Sequence, residues 1–586
     1  MKNREQVGLQ AAWGEYDSHL LWAEGPWSAR INAEEVARIC YLDRLVLRSV
    51  RLVARDRDWL SLHNTDLVIK EKDGLVLSFR MDGSEAALQA TLTIQAGEHL
   101  TLSAHVTSLT TFERNRVGLT VLHPPEVAGK DFETTDTSGR VGRGRFPLLP
   151  SPQQPARDIA ALRWVSEGIQ SKITFFGEVF EMEDHRNWTD ASFKIYGTPL
   201  SHPFPVSMKK GDTVVQSVTL SSQLLEPRRS PATRSPITLE RTELTAPEVS
   251  LGLASAPDSK AALSAPKDSL VLVELSLRTP NWQAVAERAI STASSLDLRL
   301  ITSDPAQADP ALAELEGAPI CRIGIFDPTS HVTEPGLWEA LCQAIAEKDL
   351  TVEKIAGTRA HFTELNRQAH RMPENAEGIT FSITPQMHSQ STEQIIESIP
   401  FHGLVTHAAA TLFPGKNIHV GPVTLRPRFN AVATTPPPTE RPDLALGFGA
   451  ALQHDATDPR QEKTGLAAWT VASFIELLVS GAQSIALFEQ WGPRGVRAED
   501  GQVLPVGEAV ETLKTLEGHP VHTATSLPHG IALVGLEQDA GLMLLGANLT
   551  DNDALLPVQS SERKSYIRIA SMGWIFEPWG GKPGCS

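Results

Sequence analysis

At 586 residues, 41% hydrophobic and 21% charged, the chain has ordinary globular composition and is too long for a single core. Its 53 Lys and Arg face 70 Asp and Glu, a formal net charge of -17 that argues against nucleic-acid or anionic-membrane binding, both of which need a broad basic face. A small neutral or anionic ligand gripped by a few local arginines is compatible with that balance.

Four cysteines, Cys40, Cys321, Cys342 and Cys585, stand far apart without CxxC spacing, so neither a zinc knuckle nor a disulfide framework is expected. A reducing cytosol is the simplest compartment. The charged residues Met1 to Gln6 are followed by no apolar signal core, and no run approaches the ~20 apolar residues of a membrane span. The sequence therefore predicts a cytoplasmic protein with no membrane partner. It assigns no metal and no cofactor, and it leaves the oligomeric state open.

From about residue 40 to 225 the apolar period is two, as in Arg44 to Val53 and Leu100 to Val106. An Asp73-Gly74 pair between Leu67-Val68-Ile69 and Leu75-Val76-Leu77 predicts a hairpin. Many short strands and almost no helix indicate an N-terminal β-sandwich over residues 1–240. Near its end lies the polar run Glu181 to Asp190. If Phe180 to His185 is extended, Glu181, Glu183 and His185 share one face and can bind a cation or reach into a neighbouring active site; a solvated loop with internal hydrogen bonds is the plainer reading. A Pro- and Arg-rich stretch, Glu226 to Pro236, suits a domain boundary.

Beyond it, short β-rich runs alternate with segments of helical period. There are eight: Val249 to Ala254, Leu270 to Leu277, Leu298 to Thr302, Pro319 to Phe326, Thr358 to Asn366, Ile379 to Pro385, Ile418 to Leu425 and Ser484 to Glu489. Helical faces lie between them, at Trp282, Val285, Ala289 and Ile290, and at Leu337, Trp338, Leu341 and Ile345. Leu466 to Ser480, apolar almost throughout and stopped by Gly481, predicts a helix packed hard on a sheet. Eight such units over residues 241–518 predict a (β/α)8 TIM-type barrel; an open doubly wound sheet is the alternative, without a GxGxxG or P-loop to support it. Alternation returns in Ile531 to Leu536 and Leu542 to Leu549, predicting a small C-terminal β domain over 519–586. The fold class is thus multidomain, α/β plus all-β.

Substrates of such barrels meet the carboxyl ends of the strands, and these ends are polar here. Strand five ends in Glu364, Asn366 and Arg367, strand six in Gln386 and His388, and strand seven in Arg426, Arg428 and Asn430. Strand eight ends in Glu489, Trp491 and Arg494. Two carboxyls can divide into an acid and a base or nucleophile, arginines and amides can hold hydroxyls or an oxyanion, and Trp491 offers a platform for a sugar ring. Glu364, Glu489 and His388 are the catalytic candidates. Asn366, Arg367, Gln386, Arg426, Arg428, Asn430, Trp491, Glu181 and His185 are the binding candidates. Each has a plainer reading: salt bridges from Glu364 to Arg367 and from Glu489 to Arg494, a satisfied loop histidine at 388, and Arg428 holding the loop after it. That loop, Ala431 to Gln461, is long enough to suggest a lid. No GxSxG or HExxH motif supports a serine hydrolase or zinc protease.

Phe180 to Lys194, Phe362 to Arg367, Ser382 to His388, Val423 to Asn430 and Gly492 to Val496 together resemble the D-apionate lactonases, which open the lactone of an oxidised branched sugar, D-apionolactone, in bacterial apiose breakdown. The resemblance spreads over most of the first 500 residues. It implies a sugar-lactone substrate and a ring ester as the bond broken. On that footing Glu364 or Glu489 acts as base or nucleophile at the carbonyl and the other protonates the ring oxygen, while Arg426 with His388 or Asn366 stabilises the oxyanion. A glycoside hydrolase of similar architecture is the first alternative, and a non-catalytic carbohydrate-binding protein the second.

Overall fold

The computed structural model describes residues 11–14, 19–71, 74–225, 236–259, 267–433, 444, 447–448, 457–539, 541–559 and 564–579. Between Leu20 and Leu224 the period-two segments form two nine-stranded antiparallel sheets, with their apolar residues packed between them. The strand Arg44–Asp56 illustrates the logic. Val50, Leu52 and Ala54 enter the sandwich core, so the interleaved Arg51 and Arg55 point the other way. The strands flanking the Asp73-Gly74 pair, His63–Glu71 and Leu75–Asp82, pair as the hairpin reading expects; Asp73 itself lies outside the described residues. So do residues 226–235 of the Pro- and Arg-rich stretch.

Eight parallel strands then close a barrel, which we number β1 (Glu248–Gly252), β2 (Asp268–Ser276), β3 (Ala293–Ile301), β4 (Ile320–Phe326), β5 (Glu353–His361), β6 (Gly378–Ile383), β7 (Asn417–Val423) and β8 (Ser484–Glu489). Each overlaps one of the eight predicted runs. The helices between include α1 (Trp282–Thr292), α2 (Pro335–Glu347), α3 (Phe362–Gln368) and α4 (Thr464–Val479).

The interior of this barrel is charged where such barrels commonly carry branched apolar side chains. On β3, Leu296, Leu298 and Leu300 join the outer apolar layer while Asp297 and Arg299 face inward. Arg299 crosses the interior to donate to the Gly421 carbonyl at 2.8 Å. At the floor, Arg322 lies 3.2 Å from Asp297 and 3.1 Å from Glu353, which accepts from His419 at 2.9 Å. At the top, Glu274 takes Arg359 at 2.8 Å and Arg428 at 2.5 Å. Buried charges are tolerated only when paired this completely.

A seven-stranded sheet combines Ile237–Thr245, which precedes the barrel, with strands from Pro520 to Pro578. Helix α4 lies between this sheet and the barrel, which accounts for its being apolar all round. Among the described residues no helix is long and apolar enough to cross a membrane.

Candidate active site

The site is built where β5 ends. The sequence reading carried this strand to Asn366; instead the strand stops at His361 and α3 begins at Phe362. The cause is local. Glu364, third in the helix, turns back so that its Oε2 accepts the His361 backbone N–H at 2.9 Å, capping the first turn. The same Oε2 lies 3.9 Å from His361 Nδ1. Burial pushes the Glu364 carboxyl up to about 7, against Arg367 and the backbone N–H groups. Upstream, β5 carries two extra residues relative to β6 between Gly357 and His361. Gly357 has φ +133, and a Cβ there would stand 2.2 Å from the Thr380 carbonyl, so only glycine fits the bulge that re-aims Arg359 and His361.

Helix α3 faces the sandwich. Asn366 Nδ2 donates to Asn187 Oδ1 at 2.8 Å and to the Pro150 carbonyl at 2.9 Å. Arg367 does not pair with Glu364; it reaches Glu183 at 3.3 Å and lies over the Trp188 ring. The sandwich meets it with the strand Phe180–Asp184 and a tight turn, His185–Trp188. The extended run foreseen through His185 therefore ends one residue early. Glu181, on the face of this strand opposite the core residues Phe180 and Met182, keeps its partners within the N-terminal domain, accepting from Tyr196 Oη at 2.6 Å and Leu200 N–H at 2.8 Å. Glu183 pairs with Lys194 at 2.6 Å.

The turn places His185 and Asp190 against His388, in the segment after β6. The two imidazoles stack with centroids 4.0 Å apart and planes at 14°. Asp190 Oδ2 lies 2.8 Å from His388 Nδ1, while its Oδ1 accepts from Gln394 Nε2 at 3.1 Å. An acceptor on Nδ1 assigns the proton there and leaves the lone pair on Nε2. Burial draws His388 below the ordinary imidazole range although Asp190 opposes it, so the ring is neutral near pH 7. Burial likewise holds His185 well below that range and brings His361 to about 3.

The other predicted residues divide. Arg428 lies at the top of the barrel interior, bound to Glu274, the Arg359 carbonyl at 2.6 Å and Ser382 at 3.3 Å. Burial opposes ionisation of Glu274, yet Arg359 and Arg428 hold its carboxyl well below the usual range. Arg426, two residues earlier on the same predicted strand end, does not share the Arg428 contacts. The chain is irregular after Val423, and Arg426 turns instead to Asp458 at 3.2 Å. Gln386 joins it there, donating to Asp458 at 2.8 Å and accepting from Arg460 at 3.2 Å. Asn430 donates to the Asp58 carbonyl of the sandwich at 2.7 Å.

Glu489 Oε2 accepts from Ser255 N–H at 2.9 Å and Ser255 Oγ at 2.8 Å, and Oε1 faces Arg494 at 3.4 Å. Trp491 is 2% exposed, packed on Ala254 and Ala256 with its N–H on the Pro257 carbonyl. It has no face to offer a sugar ring, which corrects the platform reading. Most of the expected lid, 434–443, 445–446 and 449–456, lies outside the described residues.

Asp190, within the polar run, and Glu274 and Arg359 are not among the strand-end candidates, although a Glu inside Leu270-Val271-Leu272-Val273-Glu274-Leu275 is itself a sign of a charged barrel interior. Donor atoms of His185, Asp190 and His388 lie within 4.8 Å of one another, close enough to hold a metal ion. The near-parallel rings direct their lone pairs alongside rather than toward a common point, and Arg51, Arg55 and Lys194 add positive charge around them. The arrangement suits a hydrogen-bonded dyad better than a cation.

The barrel mouth, roofed by the sandwich, brings together a neutral imidazole, a protonatable carboxyl and paired guanidiniums, groups able to exchange protons with a small polar molecule. Residues 12–224 match the family model for the D-apionate lactonase N-terminal domain, and residues 252–518 match that for the D-apionate lactonase TIM barrel domain. The chain belongs to the D-apionate lactonase family and is a lactone-hydrolysing enzyme. A D-apionate lactonase of Brucella anthropi is 26% identical over 550 residues, covering 84% of this chain and 86% of the relative. Among solved structures, a beta-arabinopyranosidase covers 95% of this chain and 98% of its own at 10% identity and TM-score 0.30. SrfJ from Salmonella typhimurium covers 62% and 96% at 9% identity and TM-score 0.39. At those scores neither bears on the argument.

Proposed function

We propose that the enzyme opens D-apionolactone to D-apionate at the seam between sandwich and barrel, with His388 as the base. The observation that carries this reading is the 2.8 Å bond between Asp190 of the sandwich and His388 Nδ1 at the barrel mouth. Asp190 fixes the tautomer, and Nε2 accepts a proton from the attacking water, whose oxygen bonds to the lactone carbonyl carbon. As the tetrahedral intermediate collapses, the bond from that carbon to the ring oxygen breaks and the ring oxygen takes a proton from Glu364. The acid formed loses its own proton to solvent, and the proton that His388 took from water passes through solvent to restore Glu364, so both groups return to their starting states. Glu364, 15% exposed and with its carboxyl raised to about 7 by desolvation, is suited to that donation near neutral pH.

Glu489 takes a supporting part: its oxygens are committed to Ser255 and Arg494, so it anchors the segment after β1. The same commitment counts against glycoside hydrolysis, which needs two carboxyls free to face one bond. Turnover on D-apionolactone, followed by acid release in a pH-stat, against a panel of aryl glycosides tests the assignment. Lactone turnover lost in His388→Ala is the expected result. Undiminished lactone turnover in that variant, or glycoside cleavage in its place, refutes it.

A further inference from the structure

The outer face of the sandwich strand Arg44–Asp56 is the one that docks on the barrel, and it carries three arginines. Arg48 binds Glu397 at 2.6 Å, in the segment after β6. Arg51 binds Glu35 at 2.7 Å and donates to the His388 carbonyl at 3.3 Å. Arg55, four residues beyond Arg51 on the same face, has no carboxylate within 4 Å among the described residues. Its one hydrogen bond there, from Nη1 to the Trp59 carbonyl at 2.8 Å, braces the guanidinium and leaves most of the fork open.

Arg55 is placed at some cost. Its direct cross-strand partner is Arg116, and like charges opposed across a strand pair destabilise it. Burial opposes its charge most, and Arg51 opposes it too, while the carboxylates of Asp190, then Glu183 and the neighbouring Asp56, favour it without any of them forming an ion pair with it. Of the cations bearing on His185 and His388, Lys194 is committed to Glu183 and Arg51 to Glu35. Arg55 alone of these three has no carboxylate partner within 4 Å among the described residues. In a reaction that turns a neutral ester into an anion, a guanidinium without a carboxylate of its own, on the same face from which Arg51 reaches the His388 carbonyl, is the expected receptor for the new charge.

We propose that Arg55, supplied by the sandwich, binds the lactone carbonyl oxygen as it becomes an oxyanion and then holds the carboxylate of the opened acid. This rests on the reading of the seam as the reaction site. It makes the N-terminal domain a donor of substrate-contacting charge as well as of Asp190.

The test compares Arg55→Ala and Arg55→Lys in the full-length enzyme, measuring kcat and KM on D-apionolactone, inhibition by D-apionate, and rescue by added guanidinium ion. Arg55→Ala is expected to lower kcat by about 100- to 1,000-fold, as when a preorganised oxyanion donor is removed. It should also weaken D-apionate inhibition at least tenfold and recover part of its turnover in millimolar guanidinium. Arg55→Lys should fall between, since it keeps the charge and loses the fork. Guanidinium rescue separates this role from a structural one, because a misfolded seam does not regain turnover from a free cation. The assignment is overturned if Arg55→Ala keeps kcat and D-apionate inhibition within threefold of wild type, or if an inactive Arg55→Ala is not rescued while Arg55→Lys is equally inactive. If instead His388→Ala retains full turnover, it is the location of the site that fails.

Discussion

Glu364→Gln should separate stability from activity in opposite directions. In the folded chain burial lifts this carboxyl from 4.5 to about 7. A folded value above the unfolded one means that stability is fully present below about pH 4.5 and is lost as pH rises through about 7. At 1.36 kcal/mol per unit the full loss is roughly 3 kcal/mol, and the 15% exposure of the side chain reduces it to roughly 2. Gln keeps an oxygen to accept the His361 N–H and cannot ionise. The variant should therefore match wild type in melting temperature at pH 4.5 and exceed it by a few degrees at pH 8.5.

Its kcat at pH 6.5 should fall about 100- to 10,000-fold, because the amide cannot protonate the ring oxygen. The alkaline limb of the wild-type profile, expected near pH 7, should vanish with it. Thermal melts at both pH values and a pH-stat rate profile on D-apionolactone make the measurement. A variant with wild-type kcat, or a stability difference independent of pH, refutes the argument that Glu364 is a desolvated acid.

Asp190→Asn should lower kcat by about 100- to 1,000-fold by releasing the His388 tautomer, and the acid limb should move to lower pH, because the carboxylate that favours the imidazolium is gone; an unmoved limb refutes the pairing. Trp491→Phe should cost about 1 kcal/mol in urea melts through the lost bond to Pro257, with KM within twofold of wild type; a tenfold KM rise would restore the platform reading. Dialysis against a chelator, checked by residual metal content, should leave kcat unchanged, and its loss with recovery on adding a divalent ion would reassign His185, Asp190 and His388.

The architecture was legible because each layer writes its own period into the sequence. Half-buried strands such as Leu100–Ser108 alternate, α4 is apolar all round, and β-rich runs alternate with helical faces like that of α2. The mouth was legible as a list of polar strand ends and not as an arrangement. Asp190 and His388 are 198 residues apart in the chain, and no local pattern states that they meet. Strand ends also misled where one capping contact changed the path: Glu364 folds β5 into a helix, which sends Asn366 and Arg367 toward the sandwich. Trp491 failed for a related reason. Its neighbours Ala254 and Ala256 belong to the far end of the barrel sequence, so its burial is settled by closure between β8 and β1.

On the proposed mechanism, burial at the seam gives a physical reason for chemistry between the domains. A base and an acid that work near neutral pH need environments that separate their affinities for protons, and burial does this in opposite senses for an imidazole and a carboxyl. A barrel mouth left open to water would give His388 and Glu364 their ordinary values. The turn His185–Trp188, laid over the mouth and held by Asn187 to Asn366 and by Arg367 to Glu183, withdraws both groups from solvent at once. It also brings the carboxylate that orients the base. Weakening those ties should therefore change the protonation of His388 and Glu364 before it changes substrate binding. Seam variants are expected to narrow or shift the pH profile of kcat while KM moves little.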